Sequence, residues 1–309
     1  MQRPTVRRRG RPAAGLMPIL VPVVLALVLS AMIAPVSRSD DSEALLARFE
    51  TMVRFNLDNA KVVPSAQLDS LANAWTTMSL GDRVAAWARW FLARGDVHYL
   101  YGRDPGGYVT EGRLCSDFTT DCVLFMNRTT ELARSASARE AVQFAFGTRF
   151  YGASVEHAVR EDGRVDFDDP AHLEYSEEMV RSGVWGADVT AECGAALRDT
   201  VGSSHAPADT VRFLPTAGID YAELKNGDIA WFIGDETAPG AIERRREGTM
   251  IHHLGILVRD GDRVMLIHPA ARPLPGVYER TGLVEVPLAT YLSRVSRFKG
   301  ILVTRLQEF

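Results

Sequence analysis

The sequence has few cysteines and lacks the motifs of cofactor-dependent enzymes. It contains three cysteines in 309 residues, without a paired-cysteine zinc pattern. It also has no phosphate-binding Walker loop, no dinucleotide-binding glycine fingerprint and no internal repeat. The sequence therefore gives no support for chemistry that depends on a cofactor.

Metal-ligand spacing is missing as well. His157, His172 and His205 show no metal-binding spacing with one another or with the cysteines. The aspartates at positions 166–169 match no EF-hand loop, which favours a solvated surface over a calcium site. We therefore predict no metal site.

What the sequence does have is a basic N-terminus followed by one long apolar run. Residues 1–38 contain six arginines and no acidic residue, and the apolar run extends from Leu16 to Val36. This pattern is typical of a signal peptide or an N-terminal membrane anchor. No clean small-residue cleavage site follows, so we favour an anchor in the inner membrane. The rest would be exported, to the periplasm or the extracellular space.

The exported part is acidic. Without residues 1–38, the net charge changes from −4 to −10. An acidic surface argues against binding to nucleic acid, which is itself an anion. We therefore expect no nucleic-acid partner.

The remaining chain predicts a helical segment followed by one larger α+β domain. Residues 39–78 carry helical runs but no candidate site, so we expect a helical lead-in or a spacer. A helix is predicted from Ser79 to Arg94, because its apolar residues recur at helical spacing and Gly95 follows. From Leu224 onward several β-rich runs alternate with turn signals, which predicts an antiparallel sheet in a domain over residues 79–309. The irregular, charged residues at about 138–213 are predicted to be an insertion that forms the walls of a cleft.

One cysteine lies where a loop becomes a helix. Residues 119–121 are good N-cap residues, and Val123, Met126 and Thr130 follow Cys122 at helical spacing. At a helix start the unpaired N–H groups and the helix dipole favour the reactive thiolate. Cys122 is therefore the candidate nucleophile, although a lone cysteine before an apolar helix is more often a core residue.

The other two cysteines leave two arrangements open. Cys115 precedes the helix and its N-terminal field, so it is predicted to be structural. In an oxidising compartment an odd count leaves at least one unpaired thiol or an intermolecular bond. A Cys115–Cys193 disulfide with Cys122 free and three independent thiols both fit the sequence.

Two histidines lie at the same end of a predicted hairpin. His253 begins one β-rich run and His268 ends the next, with Asp260-Gly261 between the runs as a turn signal. Antiparallel pairing would bring the two histidines near each other. A cysteine nucleophile needs a base, and the base needs an orienting partner. Each histidine alone is equally consistent with a polar residue at a strand end.

The order of these segments resembles a known superfamily. The segments are Asp-Cys-Val-Leu-Phe at 121–125, Trp-Gly-Ala-Asp-Val-Thr at 185–190, Asn-Gly-Asp-Ile-Ala-Trp-Phe at 226–232, His-Leu-Gly-Ile at 253–256 and Ile-His at 267–268. Together they resemble the NlpC-type papain-fold cell-wall hydrolases, and most closely the N-acetylmuramoyl-L-alanine amidase-like family. The resemblance covers roughly residue 83 to the C-terminus.

The resemblance implies a papain-like fold, a nucleophile helix packed on the sheet and a peptidoglycan or muropeptide substrate. Cys122 would be the nucleophile, His253 the base, because it immediately precedes the Leu-Gly pair, and His268 the orienting residue. Tyr99 and Tyr101, in the loop before the nucleophile, and Asp121 would be the substrate-binding residues. A tyrosine that anchors the loop is the alternative for the first two.

The chain also departs from the family pattern. Leu124 and Asn127 replace the usual Thr and Glu, and Met250 stands where an acidic residue is common. Two alternatives to an N-acetylmuramoyl-L-alanine amidase therefore stay open. One is a γ-D-glutamyl endopeptidase that cuts within the stem peptide, and the other is a catalytically degenerate module that binds the cell wall.

Overall fold

The structure, a computed structural model, describes residues 39–173, 177–201, 210–235 and 250–307. The predicted signal peptide or anchor at residues 1–38 lies outside these described residues. Among the helices that are described, none is long and apolar enough to cross a membrane. The described residues from Glu43 onward belong to one compact unit; of a second unit, Met1–Ser42 with Phe309, only residues 39–42 are described.

Eight α-helices are described. They are α1 (Ser39–Leu57), α2 (Ser65–Ala74), α3 (Leu80–Arg94), α4 (Cys122–Ala133), α5 (Ala138–Arg149), α6 (Val155–Ala158), α7 (Glu177–Ser182) and α8 (Leu288–Arg294). The helix predicted from Ser79 is α3, which begins one residue later because Ser79 is its N-cap and accepts a hydrogen bond from the Asp82 amide. Gly95, with a φ of 72°, ends the helix as predicted.

Ten strands are described, most of them in one antiparallel sheet. They are β1 (His98–Tyr99), β2 (Thr119–Thr120), β3 (Ala187–Asp188), β4 (Arg198–Val201), β5 (Thr210–Pro215), β6 (Ile229–Gly234), β7 (Ile251–Asp260), β8 (Arg263–Ala270), β9 (Gly282–Pro287) and β10 (Phe298–Arg305). The sheet order is β4-β5-β10-β6-β7-β8-β9, with β3 also paired to β10, and β1 pairs with β2 in a separate parallel ribbon. The predicted α+β class with an antiparallel sheet is confirmed.

The central strands are covered on both faces. Helices α3 and α4 pack on one face, where Trp87 and Phe125 share a core with Leu254 of β7. On the other face, Phe232 of β6 packs in a second core with Tyr291 of α8. Strand β6 is therefore buried along its whole length, as its uninterrupted apolar sequence suggests. The assignment to a papain-like, NlpC-type fold stays a prediction.

The segments outside the predicted strands and nucleophile helix also contribute to the structure. In residues 39–78, helices α1 and α2 place Met52 and Leu68 in the first core. The described part of residues 138–213 contains three α-helices, a short 3₁₀ helix, the strands β3 and β4, and the start of β5. The domain boundaries drawn from the sequence stay predictions.

Candidate active site

Helix α4 begins at Cys122, where the sequence predicts its start. Asp121 is the N-cap, with an extended backbone and an Oδ1 atom that accepts a 2.9 Å hydrogen bond from the Leu124 amide. Because α4 lies against β7, the Cys122 sulfur meets the amide N–H of Leu254, as well as its own amide and that of Val123. The thiol therefore lies at the junction of helix and sheet, partly exposed to a cleft.

The thiol pKa differs from the sequence prediction. Burial, and after it the negative charge of the adjacent Asp121, raise the pKa of Cys122 to about 12. The three amide groups around the sulfur lower the pKa, but by less. The predicted shift toward a thiolate is therefore wrong for the unliganded protein, because desolvation outweighs the field of the helix terminus.

His253 and His268 form a hydrogen-bonded pair. Nε2 of His253 lies 2.9 Å from Nδ1 of His268, and the two rings are nearly perpendicular. The pair forms because β7 and β8 are adjacent antiparallel strands and both side chains lie on one face of the sheet. Nδ1 of His268 also lies 3.3 Å from the carbonyl oxygen of Pro269. It donates to Pro269 when it carries a proton and accepts from His253 when it does not.

Both histidines are buried among aromatic rings. The ring of His253 is nearly parallel to that of Phe298, with the centroids 6.3 Å apart, and that of His268 lies 4.7 Å from Tyr291. Burial, followed by the charge of His268, places the pKa of His253 well below its usual value. Burial also lowers the pKa of His268 to about 4. Both rings are therefore neutral at neutral pH.

His252 also lines the cleft, which strand alternation alone does not predict. Phe232 pairs with His253, but Ile233 pairs with Ile251, so His252 is the extra residue of a β-bulge. A bulge interrupts the alternation of side chains between the two faces. A Cβ atom at Gly234 would lie 2.0 Å from the His252 ring, so the bulged ring packs over a glycine.

The three predicted substrate-binding residues all border the cleft. Tyr99 is half-buried, and burial, reinforced by the charge of Cys122, raises its pKa to about 12. Tyr101 is 50% exposed at the rim. Asp121 is buried, and its second oxygen accepts a 2.9 Å hydrogen bond from the Gly102 amide. Since backbone amides occupy both Asp121 oxygens, its contacts favour a role in positioning the helix and the tyrosine loop.

The cleft encloses about 860 Å³, which is large enough for a fragment of a polymer. Besides the predicted residues, its walls contain several polar and aromatic residues for which the sequence offered no motif. They are Tyr108, Asn127, Arg149, His172, Tyr278, Tyr291 and Arg297. These residues are far apart in the sequence, and only the fold brings them together. Of the seven, only Asn127 was singled out from the sequence for its position, as a departure from the family pattern.

The other two cysteines form no disulfide with each other, and the described residues form no metal site. Cys115 and Cys193 are buried free thiols, so no disulfide joins them. Within the described ranges, no three His, Cys, Asp or Glu side chains come together as a metal ion would require. The Arg244–Arg246 run that precedes His253 in the sequence lies outside the described residues.

The fold resembles those of two crystallised bacterial proteins. An N-acetylmuramoyl-L-alanine amidase from Bacteroides uniformis ATCC 8492 superposes with a TM-score of 0.53 and 18% identity, covering 74% of this chain and 99% of that chain. Protein LPG0564 from Legionella pneumophila superposes with a TM-score of 0.50 and 16% identity, covering 79% of this chain and 94% of that chain. No protein-family model and no curated protein sequence matches this chain. At these identities the likeness shows a shared fold.

Proposed function

We propose that this protein is an exported cysteine amidase that hydrolyses the amide bond between N-acetylmuramic acid and L-alanine in peptidoglycan. The observation that carries the proposal is the convergence of Cys122 and the hydrogen-bonded His253–His268 pair on one cleft. A thiol, a base and an orienting residue are the three parts of a cysteine hydrolase. The activity named for the B. uniformis protein is the reason for choosing this bond.

His253 would act as the general base. Its Nε2 atom is occupied by His268, so Nδ1 is the ring nitrogen left to take the thiol proton. For this role Nε2 must carry a proton and donate it to Nδ1 of His268, which holds the ring in one tautomer. Because the resting thiol and both imidazoles are neutral, the proton would move to His253 as the sulfur attacks.

The reaction would proceed through a thioester. The Cys122 sulfur attacks the carbonyl carbon, and the amide N–H of Cys122 would stabilise the resulting oxyanion. The C–N bond then breaks as the His253 imidazolium gives its proton to the departing amine nitrogen. Water, deprotonated by His253, hydrolyses the thioester, which releases the carboxylic acid and restores the thiol.

The proposal includes export, since peptidoglycan lies outside the cytoplasmic membrane. Residues 1–38 supply the signal, with the apolar run from Leu16 to Val36 either cleaved or retained as an inner-membrane anchor. The alternative bond is the γ-D-glutamyl bond of the stem peptide, which the same catalytic residues would cleave.

A specific observation also keeps a non-enzymatic function open. The raised pKa of Cys122 leaves very little thiolate at neutral pH, and a degenerate hydrolase that only binds the cell wall needs none. Alkylation by iodoacetamide separates the two functions when substrate is added. An enzyme that activates its thiol on binding will be alkylated faster at sub-saturating muropeptide, whereas a binding module will only be protected.

The direct test is digestion of purified peptidoglycan by the full-length protein, followed by mass spectrometry of the products. We expect free stem peptides and unsubstituted N-acetylmuramic acid residues, and we expect Cys122→Ala to abolish both. Cys193→Ala is the matched control, because Cys193 is a buried thiol in the second core. Product masses cut within the stem peptide would identify the endopeptidase instead. Equal hydrolysis by Cys122→Ala would refute the cysteine mechanism.

A further inference from the structure

Asn127 is a buried polar residue in the wall of the cleft. It is 3% exposed, it lines the cleft, and its Oδ1 atom has no hydrogen-bond partner within the described part of the chain. It follows Val123 by one turn of α4, so both side chains lie on the cleft side of the helix. A buried polar atom without a partner destabilises the protein unless something else satisfies it.

Another buried asparagine shows the usual arrangement. Asn56 of α1 donates to the carbonyl oxygen of Met52 and accepts hydrogen bonds from the amides of Leu114 and Cys115. Its carboxamide therefore joins two parts of the fold. Asn127 makes no comparable connection among the described residues, although it is almost as deeply buried.

The surroundings of Asn127 indicate which chemistry its oxygen would meet. One turn further along α4, Glu131 binds Arg149 through two hydrogen bonds of 2.7 Å, so the arginine charge is already neutralised. Beside Arg149, the Nδ1 atom of His172 is likewise buried without a partner in the described ranges. The buried polar atoms without a partner in the described part of this wall, Oδ1 of Asn127 and Nδ1 of His172, thus both belong to uncharged groups, and the nearby Arg149 is already paired. This wall of the cleft suits a neutral hydrogen-bond donor.

We infer that Asn127 is a substrate-binding residue whose Oδ1 atom accepts a hydrogen bond from a secondary amide N–H of the substrate. The inference rests on the proposed function for the identity of the ligand. Peptidoglycan carries such N–H groups both in the N-acetyl group of the sugar and in the stem peptide. The asparagine would therefore be a determinant of specificity. Its oxygen, which destabilises the free protein because it has no partner in the described part of the chain, would gain a hydrogen bond when substrate binds.

Binding measurements in a Cys122→Ala background test the inference without turnover. The probes are N-acetylmuramoyl-L-alanyl-D-isoglutamine, N-acetylmuramic acid and the dipeptide L-alanyl-D-isoglutamine, each titrated calorimetrically. We expect Asn127→Leu, which nearly preserves the volume, to weaken binding of the first probe roughly tenfold, the size of one neutral hydrogen bond. Whichever smaller probe shows the same loss contains the N–H group.

Thermal unfolding supplies the matched control. Asn127→Leu should leave the melting temperature unchanged or raise it, whereas Asn56→Leu should lower it, because three hydrogen bonds are lost. Unchanged affinity after Asn127→Leu, or a drop in melting temperature as large as that of Asn56→Leu, would overturn the inference while the proposed function stands. If Cys122→Ala binds none of the probes and the wild type hydrolyses no peptidoglycan, the proposed function itself fails, and the inference with it.

Discussion

Gly255 lies where a larger residue would crowd the strand that carries His268. It lies in β7 next to β8, where an added Cβ atom would be 2.6 Å from Cδ1 of Leu266, and also 3.0 Å from the His268 Cβ and 2.9 Å from the Ile267 carbonyl oxygen. All three distances are shorter than ordinary van der Waals contacts. The Leu-Gly pair after His253 therefore has a physical role, because the glycine leaves room for His268.

We predict that Gly255→Ala will displace His268 and reduce the hydrolysis of peptidoglycan at least tenfold. The clash should also lower the free energy of unfolding by about 1–3 kcal/mol, as overpacking of a core does. Gly147→Ala on α5 is the control, since an added Cβ there meets no atom within 4 Å. That variant should keep full activity and gain about 0.5–1 kcal/mol of stability. Normal activity of Gly255→Ala would show that His268 tolerates displacement.

At the scale of single residues, local sequence signals predicted the placement of the site but not its electrostatics. N-cap chemistry located Cys122, and the hairpin signal placed His253 and His268 side by side. The predicted lowering of the thiol pKa was wrong. Desolvation of the sulfur depends on the atoms that β7 packs around it, and no local sequence pattern reveals these atoms. The substrate-binding role that we infer for Asn127 could not be predicted either, because it depends on which atoms pack around the side chain.

At the scale of elements, two buried ion pairs hold α4, the helix that begins at Cys122, in place. Arg128 of α4 binds Asp117 with both side chains almost fully buried, and Asp117 also accepts a hydrogen bond from the Val63 amide. Glu131 of the same helix binds Arg149 of α5. These ion pairs therefore connect the helix that begins at Cys122 to the preceding loop and to α5. Each buried charge would be uncompensated without its partner.

Removal of one partner of the Arg128–Asp117 pair should be costly. We predict that Arg128→Met lowers the free energy of unfolding by about 3–5 kcal/mol, because it leaves the Asp117 carboxylate buried and uncompensated. Adding Asp117→Asn should recover part of this loss, since a neutral amide oxygen can still accept from Val63. Urea unfolding of the two single variants and the double variant measures the coupling. Strictly additive losses would show that the pair is not coupled.

Elements whose apolar residues recur with a clear period were predicted from the sequence. Elements that form through contacts with residues far away in the sequence were not. Helix α3 and strands β6 to β10 follow their apolar patterns. The two-residue strands β1 and β2 are too short to show any period, yet their pairing brings Tyr99 beside Thr120 and so to the start of α4. Within residues 138–213, the sequence showed charge and irregularity where the structure has α5 and the strands β4 and β5.

At the scale of the whole molecule, the site joins the two halves of the chain. Cys122, the proposed nucleophile, belongs to a helix of the first half, and the histidines belong to the sheet of the second half. Because the two imidazoles at this junction are buried in the neutral form, the stability of the folded protein should be sensitive to acid. Burial is the first cause of the lowered pKa of His253 and His268, and also of His172, whose pKa falls to about 4.

The sign of this effect follows from proton binding. In the unfolded chain these histidines titrate near a pKa of about 6.5, whereas in the folded protein they titrate at lower pH. Between these values the unfolded state binds more protons, so the free energy of unfolding decreases as the pH falls. The stabilisation is fully present above pH 6.5 and is lost progressively toward pH 4, by at most about 1.4 kcal/mol per pH unit for each histidine.

We therefore predict that the urea midpoint will fall steadily between pH 7 and pH 4.5, before most carboxylates titrate. His172→Phe should make this dependence shallower, because the side chain lies against Phe150 and Phe167 and a phenyl ring there takes up no proton. A slope that is the same in wild type and His172→Phe would mean that His172 does not contribute. A midpoint independent of pH over this range would contradict burial of the neutral His253–His268 pair, because a pair accessible to protons would cost the folded state nothing on acidification.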